Sequence, residues 1–90
     1  MTYVEQALKV LNRTCPGLDP ELARLYALLA LTRGTRTSLQ DVHDAWAVWR
    51  NNTQPDHPSL VPFDQLAPEA QELDRAYMDA IHHTARQVSR

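Results

Sequence analysis

The stretch HDAWAVWRNNTQPDHPSLVPFDQL, His43 to Leu66, holds both tryptophans, the only phenylalanine, two of four histidines and three of six prolines. Its first half continues a helical pattern. Leu39, Val42, Trp46 and Trp49 recur at spacings of 3, 4 and 3, which places them on one face, and Ser38 with Asp41 three residues on supplies a capping-box-like start. The second half cannot stay helical, because Pro55 and Pro58 each remove a backbone donor and push the preceding residue toward extended geometry. A helix fraying at Asn51-Asn52 therefore gives way to an irregular connector from about Thr53 to Leu66.

Three further helices surround this pair. The first runs from about Thr2 to Asn12, capped by Thr2, with Val4, Leu8 and Leu11 on one face and Cys15-Pro16-Gly17 as its stop. The second spans Asp19 to Arg33. Asp19 is its N-cap, Pro20 its first helical residue, and Gly34 its C-terminal stop. Leu22, Leu25, Tyr26 and Leu29 form one stripe, while Leu28 and Leu31 lie outside it, so this helix is apolar over more than half its circumference and is either central or at a dimer interface. The last helix starts near Pro68, with Glu69 and Glu72 favoured by the helix dipole and Ala70, Leu73, Tyr77, Ile81 and Val88 inward. The fold class is all-α: a compact bundle of about four helices, residues 1–90 forming a single domain, with the Pro-rich connector between helices three and four.

Composition narrows the function. An apolar fraction of 43% and 22% charged residues suit a soluble globular chain, and no segment is apolar enough for a membrane span. MTYVEQALKVLNR places Glu5, Gln6 and Lys9 within its apolar pattern, unlike a secretory signal, so a cytoplasmic location is expected, in a bacterial or phage-infected cell. The net charge of −2, from 11 acids against 9 bases, disfavours a nucleic-acid partner. Cys15 is alone, so it forms no internal disulfide and seeds no paired-cysteine zinc site. No nucleophile elbow, glycine-rich phosphate loop or HExxH is present, and no enzymatic role or cofactor is expected.

The candidate chemistry has two faces throughout. Trp46 and Trp49 are either buried anchors or rings that face a pocket and stack on a planar ligand. His57-Pro58 and the strip Ser59 to Phe63 are either a structural lock or a pocket wall. Arg33 and Arg36, flanking Gly34, either decorate a helix C-terminus or hold an anion beside the amino end of helix three. His82 and His83 point about 100° apart on a helix, which makes a poor chelate, and no metal site is expected.

The pattern HxxW (His43, Trp46), then HPxLVPF (His57 to Phe63 without Ser59), then Leu66, Asp74 and a helical YMDAI resembles the RyR domain family, the repeat of ryanodine receptors and of small bacterial and phage proteins. The family's hairpin between these halves is missing, with only NNTQPD in its place. The chain also looks like small actinobacterial and phage proteins, in agreement with its eight arginines. The resemblance implies a ligand or partner module without chemistry of its own, with a nucleotide-like small molecule framed by Trp46, Trp49, His57 and Phe63 and its phosphate met by Arg50 or Arg36. His43, Trp46, Pro58, Leu60 and Pro62 are then the keystone that fastens connector to helix.

The expected function is a small non-enzymatic binding module, for a nucleotide or nucleotide-derived signal in a regulatory or defence setting. The alternative is a protein-interaction or assembly subunit. Leu28 and Leu31, left outside the core stripe, point to a homodimer or a larger protein partner. Leu60 is expected in one core with Trp46, so that Leu60→Ala would cost about 2 to 4 kcal/mol.

Overall fold

The computed structural model describes residues 1–89, and its first three α-helices begin where a side chain supplies the missing hydrogen-bond partner. Helix α1, Tyr3–Thr14, opens on a capping box in which Thr2 Oγ1 accepts from the Glu5 N–H at 3.0 Å and Glu5 Oε1 accepts from the Thr2 N–H at 3.0 Å. Helix α2, Pro20–Thr32, is capped by Asp19, whose Oδ1 accepts from the Glu21 N–H at 2.8 Å. Helix α3, Leu39–Thr53, has a second capping box, Ser38 with Asp41. Gly17 and Gly34 sit at φ +87° and +60°, the left-handed region that lets the chain turn after α1 and α2.

The all-α bundle is the one the sequence pattern predicts, and α2 is its centre, packed on α1, α3 and the C-terminal helix. The buried face of α2 is Leu22, Ala23, Tyr26, Ala27 and Ala30. Alanines at the contact let the helices approach closely, and Tyr26, Leu11, Ile81 and Val42 fill the remaining space. Leu31 packs against this core, so the predicted outer patch of Leu28 with Leu31 reduces to Leu28, which is 54% exposed. On α1 the inward pair is Ala7 and Leu11; Val4, expected inward, is exposed.

The expected last helix is broken. Helix α4, Pro68–Glu72, ends at Leu73, and α5, Arg75–Gln87, begins after Asp74, whose φ −89° and ψ 0° interrupt the helical register. The slip turns Leu73 outward, 75% exposed instead of buried, and brings Asp74 to a half-buried position. Tyr77 and Ile81 keep their inward places on α5.

Two histidines fasten the bundle's irregular parts. His43, 3% exposed, donates from Nε2 to the Val61 carbonyl at 2.7 Å, an orientation fixed because a carbonyl oxygen only accepts. His82 donates likewise to the Thr37 carbonyl at 2.7 Å, joining α5 to the 3₁₀ turn Gly34–Arg36 that precedes α3. His82 is thus half-buried and bonded, while its neighbour His83 is exposed. Arg33 is also committed, its Nε lying 3.0 Å from Asp41 Oδ2. Desolvation would raise the Asp41 pKa, but the Ser38 N–H and the Arg33 guanidinium outweigh it and hold this carboxyl below its ordinary value.

The keystone differs from the expected one in its apolar members. Leu60 is half-buried over a groove with Ala47, Val48 and Asn51 and is not among the residues packed on the core cluster, as Trp46 is, while Pro58 and Pro62 are exposed. The prolines therefore stiffen the strip without packing, and the fastening is polar and aromatic. Leu60→Ala should cost about 1 to 2 kcal/mol, below the range for a fully buried leucine, while His43→Ala, losing a buried ring and a hydrogen bond, should cost about 2 to 4 kcal/mol. Urea melts of both variants check the order, and a larger loss for Leu60→Ala would restore the apolar keystone.

Candidate functional site

The connector descends from α3 and is held to it by rings and backbone bonds. The Trp46 ring lies 5.7 Å from His43 in a stacked arrangement and 5.1 Å from His57, which meets it edge-on. His57 Nδ1 accepts from the Ser59 N–H at 3.0 Å, which closes a tight turn around Pro58. Phe63, in a second 3₁₀ turn, Phe63–Gln65, tilts against His43 at 6.1 Å. Gln71 of α4 then donates from Nε2 to the carbonyls of Phe63 and Leu66, at 3.0 and 3.2 Å. These contacts enclose a small cavity of about 230 Å³ lined by His43, Trp46, His57, Ser59 and Asp74, among others.

A larger cleft, about 430 Å³, opens on the other side of Trp46 between α2, α3 and α5. Trp46, Trp49, Tyr26 and Tyr77 wall it, with the two tyrosine rings 5.7 Å apart. Trp49 is fixed from below by its Nε1–H, which donates to Asp19 Oδ1 at 3.2 Å, and from above by the Arg50 guanidinium, 4.3 Å from its ring centroid. Arg50 Nε is buried in the protein without a hydrogen-bond acceptor. An unpaired donor of a charged group is costly in such a position.

Asp74 lines both cavities. It stands at the N-cap of α5, yet its side chain makes no capping bond. Burial pushes its carboxyl above the ordinary carboxylate range, against a smaller opposing pull from His43. Tyr26 is raised as well, first by burial and then by the nearby Asp74 charge, so its hydroxyl stays protonated.

Of the side chains singled out in the sequence, Trp46, Trp49 and Arg50 line the cleft, and His57 lines the smaller cavity on the far side of Trp46. Phe63 reaches His43 but lines neither space. Arg36 is not brought to them: it lies before α3 and Arg50 lies near its end, roughly 20 Å along the axis at about 1.5 Å per residue. Asp74, Asp19, Tyr26 and Tyr77 were not read as site residues. Asp19 and Tyr26 carried signals of their own, an N-cap and a core stripe, that gave no hint of a shared cleft with residues some thirty positions away. Among the described residues no group of three or more His, Cys, Asp or Glu gathers as a metal site would require, and no helix is long and apolar enough to cross a membrane.

The family model of a Domain of unknown function (DUF7701) matches residues 2–86, and the chain belongs to that family. No curated protein and no solved structure matches it. These results correct the resemblance drawn from the HxxW and HPxLVPF patterns. The matching family is not the RyR repeat, and neither the nucleotide ligand and the phage or actinobacterial source associated with that resemblance nor the homo-oligomer expected from Leu28 and Leu31 has footing in it. The physical reason is visible in the connector, where the shared residues build a local fastening of strip to helix that any fold needing such a fastening can use.

Asp74 yields a pH prediction whose sign is set by its raised pKa. The folded state binds the Asp74 proton more tightly than the unfolded chain does, so this group's burial penalty is absent in acid and grows as pH rises through the folded value. Asp74→Asn should therefore melt at or above the parent temperature at neutral pH, with the difference vanishing near pH ~4, the ordinary carboxylate value. A variant less stable at neutral pH and equal in acid would show that the carboxylate is a stabilising partner of His43.

Proposed function

We propose that the domain is a small non-enzymatic binding module whose site is the cleft of Trp46, Trp49, Arg50, Tyr26 and Tyr77, taking a planar molecule with an acidic group. The observation that carries this reading is the Arg50 guanidinium, stacked over Trp49 at the wall of an open cleft and in none of the ion pairs among the described residues. Structural arginines in folded domains are paired or solvated, and a guanidinium in no ion pair beside the aromatic rings that line the cleft suits a ligand's carboxylate or comparable acceptor, met through its terminal nitrogens. The non-enzymatic part draws support from the histidines: His43 Nε2 and His57 Nδ1 both serve the backbone, and neither is turned to a nucleophile.

A protein-interaction role is the second reading, favoured by Leu28 and Val48, 54% and 67% exposed on α2 and α3. The two readings separate cleanly, because Leu28→Glu alters that surface and leaves the cleft untouched. On the first reading, 3-phenylpropionate should quench tryptophan fluorescence saturably, with the same affinity in Leu28→Glu. Trp49→Ala should weaken binding about 5- to 100-fold, as expected for loss of one stacking ring worth about 1 to 3 kcal/mol. Absence of saturation in a folded parent protein at millimolar concentration, by this anion and by aromatic probes of other charge alike, would remove the cleft as a binding site.

A further inference from the structure

We infer that the occupant of the cleft is a zwitterion with an aromatic body, of the size and kind of an aromatic α-amino acid, its carboxylate on Arg50 and its ammonium on Asp74. This rests on the reading of the cleft as a binding site and adds the ligand's second charge.

Three charged side chains line the cleft: Asp19, whose Oδ1 is taken up by the Glu21 N–H and the Trp49 indole, and the opposite charges Arg50 and Asp74, on which the inference rests because they leave each other unpaired. The ion pairs among the described residues are Arg24–Glu21, Arg33–Asp41 and Arg75–Glu72, and neither Arg50 nor Asp74 takes part in one. Arg75, the sequence neighbour of Asp74, turns away to hold Glu72 through two hydrogen bonds of 2.6 and 3.1 Å. Asp74 also forgoes the N–H groups of α5 that an aspartate at an N-cap ordinarily takes. Its carboxylate is thus half-buried, without a direct ionic partner, in the lining of the same cleft as the Arg50 guanidinium.

An occupant of single charge leaves one of the two worse off. A simple anion satisfies Arg50 and is repelled by Asp74; a simple cation does the reverse. A molecule bearing both charges on adjacent atoms satisfies both, and an ammonium near the face of Trp46 gains a cation–π contact in addition. The cleft's volume of about 430 Å³ lies within the range of small-molecule pockets, and the Trp49, Tyr26 and Tyr77 rings supply the apolar walls for an aromatic side chain.

Three probes that share one ring separate these cases by calorimetry on the whole chain: L-phenylalanine carries both charges, 3-phenylpropionate lacks the ammonium, and phenethylamine lacks the carboxylate. L-Phenylalanine should bind about tenfold or more tighter than either of the others, each lost charge contact being equivalent to at least one decade in Kd. Asp74→Asn should bring L-phenylalanine down to the affinity of 3-phenylpropionate, and Arg50→Gln down to that of phenethylamine. Because the ranking in the parent protein needs no variant, it stands even where a substitution perturbs folding. If 3-phenylpropionate binds as tightly as L-phenylalanine, the zwitterion inference falls and the cleft reading survives; if none of the three binds, the cleft reading falls with it.

Discussion

The bond from His43 Nε2 to the Val61 carbonyl is the constraint on which the candidate site depends. Between α3 and α4 the chain runs through three prolines and cannot satisfy its own backbone in a regular element. A buried imidazole reaching across eighteen residues supplies the missing donor at the middle of the strip, and the ring it belongs to is covered by Trp46 and Phe63. With Val61 fixed, His57 is placed at the edge of Trp46 and α4 is placed against α3. Asp74, at the end of that path, enters the space beside Trp46.

The bundle beneath this strip is held differently. Its centre is an alanine-rich face on α2, where small side chains bring three neighbouring helices close and a few large ones, Tyr26, Leu11, Val42 and Ile81, fill the gaps. Tyr26 belongs to both systems, buried among the helices and bordering the cleft. A rigid wall of this kind is suited to recognition, since the ring needs no ordering when a ligand arrives. Two of the cleft's three charged members meet the opposite condition: Arg50 and Asp74 are left imperfectly satisfied by the fold, a local conflict of the sort that accompanies binding sites.

Much of this was legible in the sequence because it is local. Caps at Thr2, Asp19 and Ser38, stops at Gly17 and Gly34, and the proline-rich break after α3 are each readable within four or five residues. Helical spacing likewise placed Val42, Tyr26 and Ile81 inside. What escaped depends on distance along the chain or on a slip of register. Leu73 fits a helical stripe through Tyr77 and Ile81, and only the interruption at Asp74 turns it outward. Leu60 fits an apolar plug, but the groove it enters is shallow and separate from the core. The cleft itself joins Asp19, Tyr26, Trp49 and Asp74 from three helices, and no spacing in the sequence encodes that meeting.

Asp19 gives the cleft an unusual mechanical character. One oxygen, Oδ1, accepts both the Glu21 N–H that starts α2 and the indole N–H of Trp49 thirty residues away. Fraying of the first turn of α2 and release of the Trp49 ring are therefore a single event, because each loosens the anchor of the other. Surface pockets bordered by loops open by low-energy local fluctuations, independently of the domain's global unfolding. Here the recognition wall belongs to the same cooperative unit as the central helix, so amide exchange at the start of α2 reports on the cleft, and a molecule seated there would slow it.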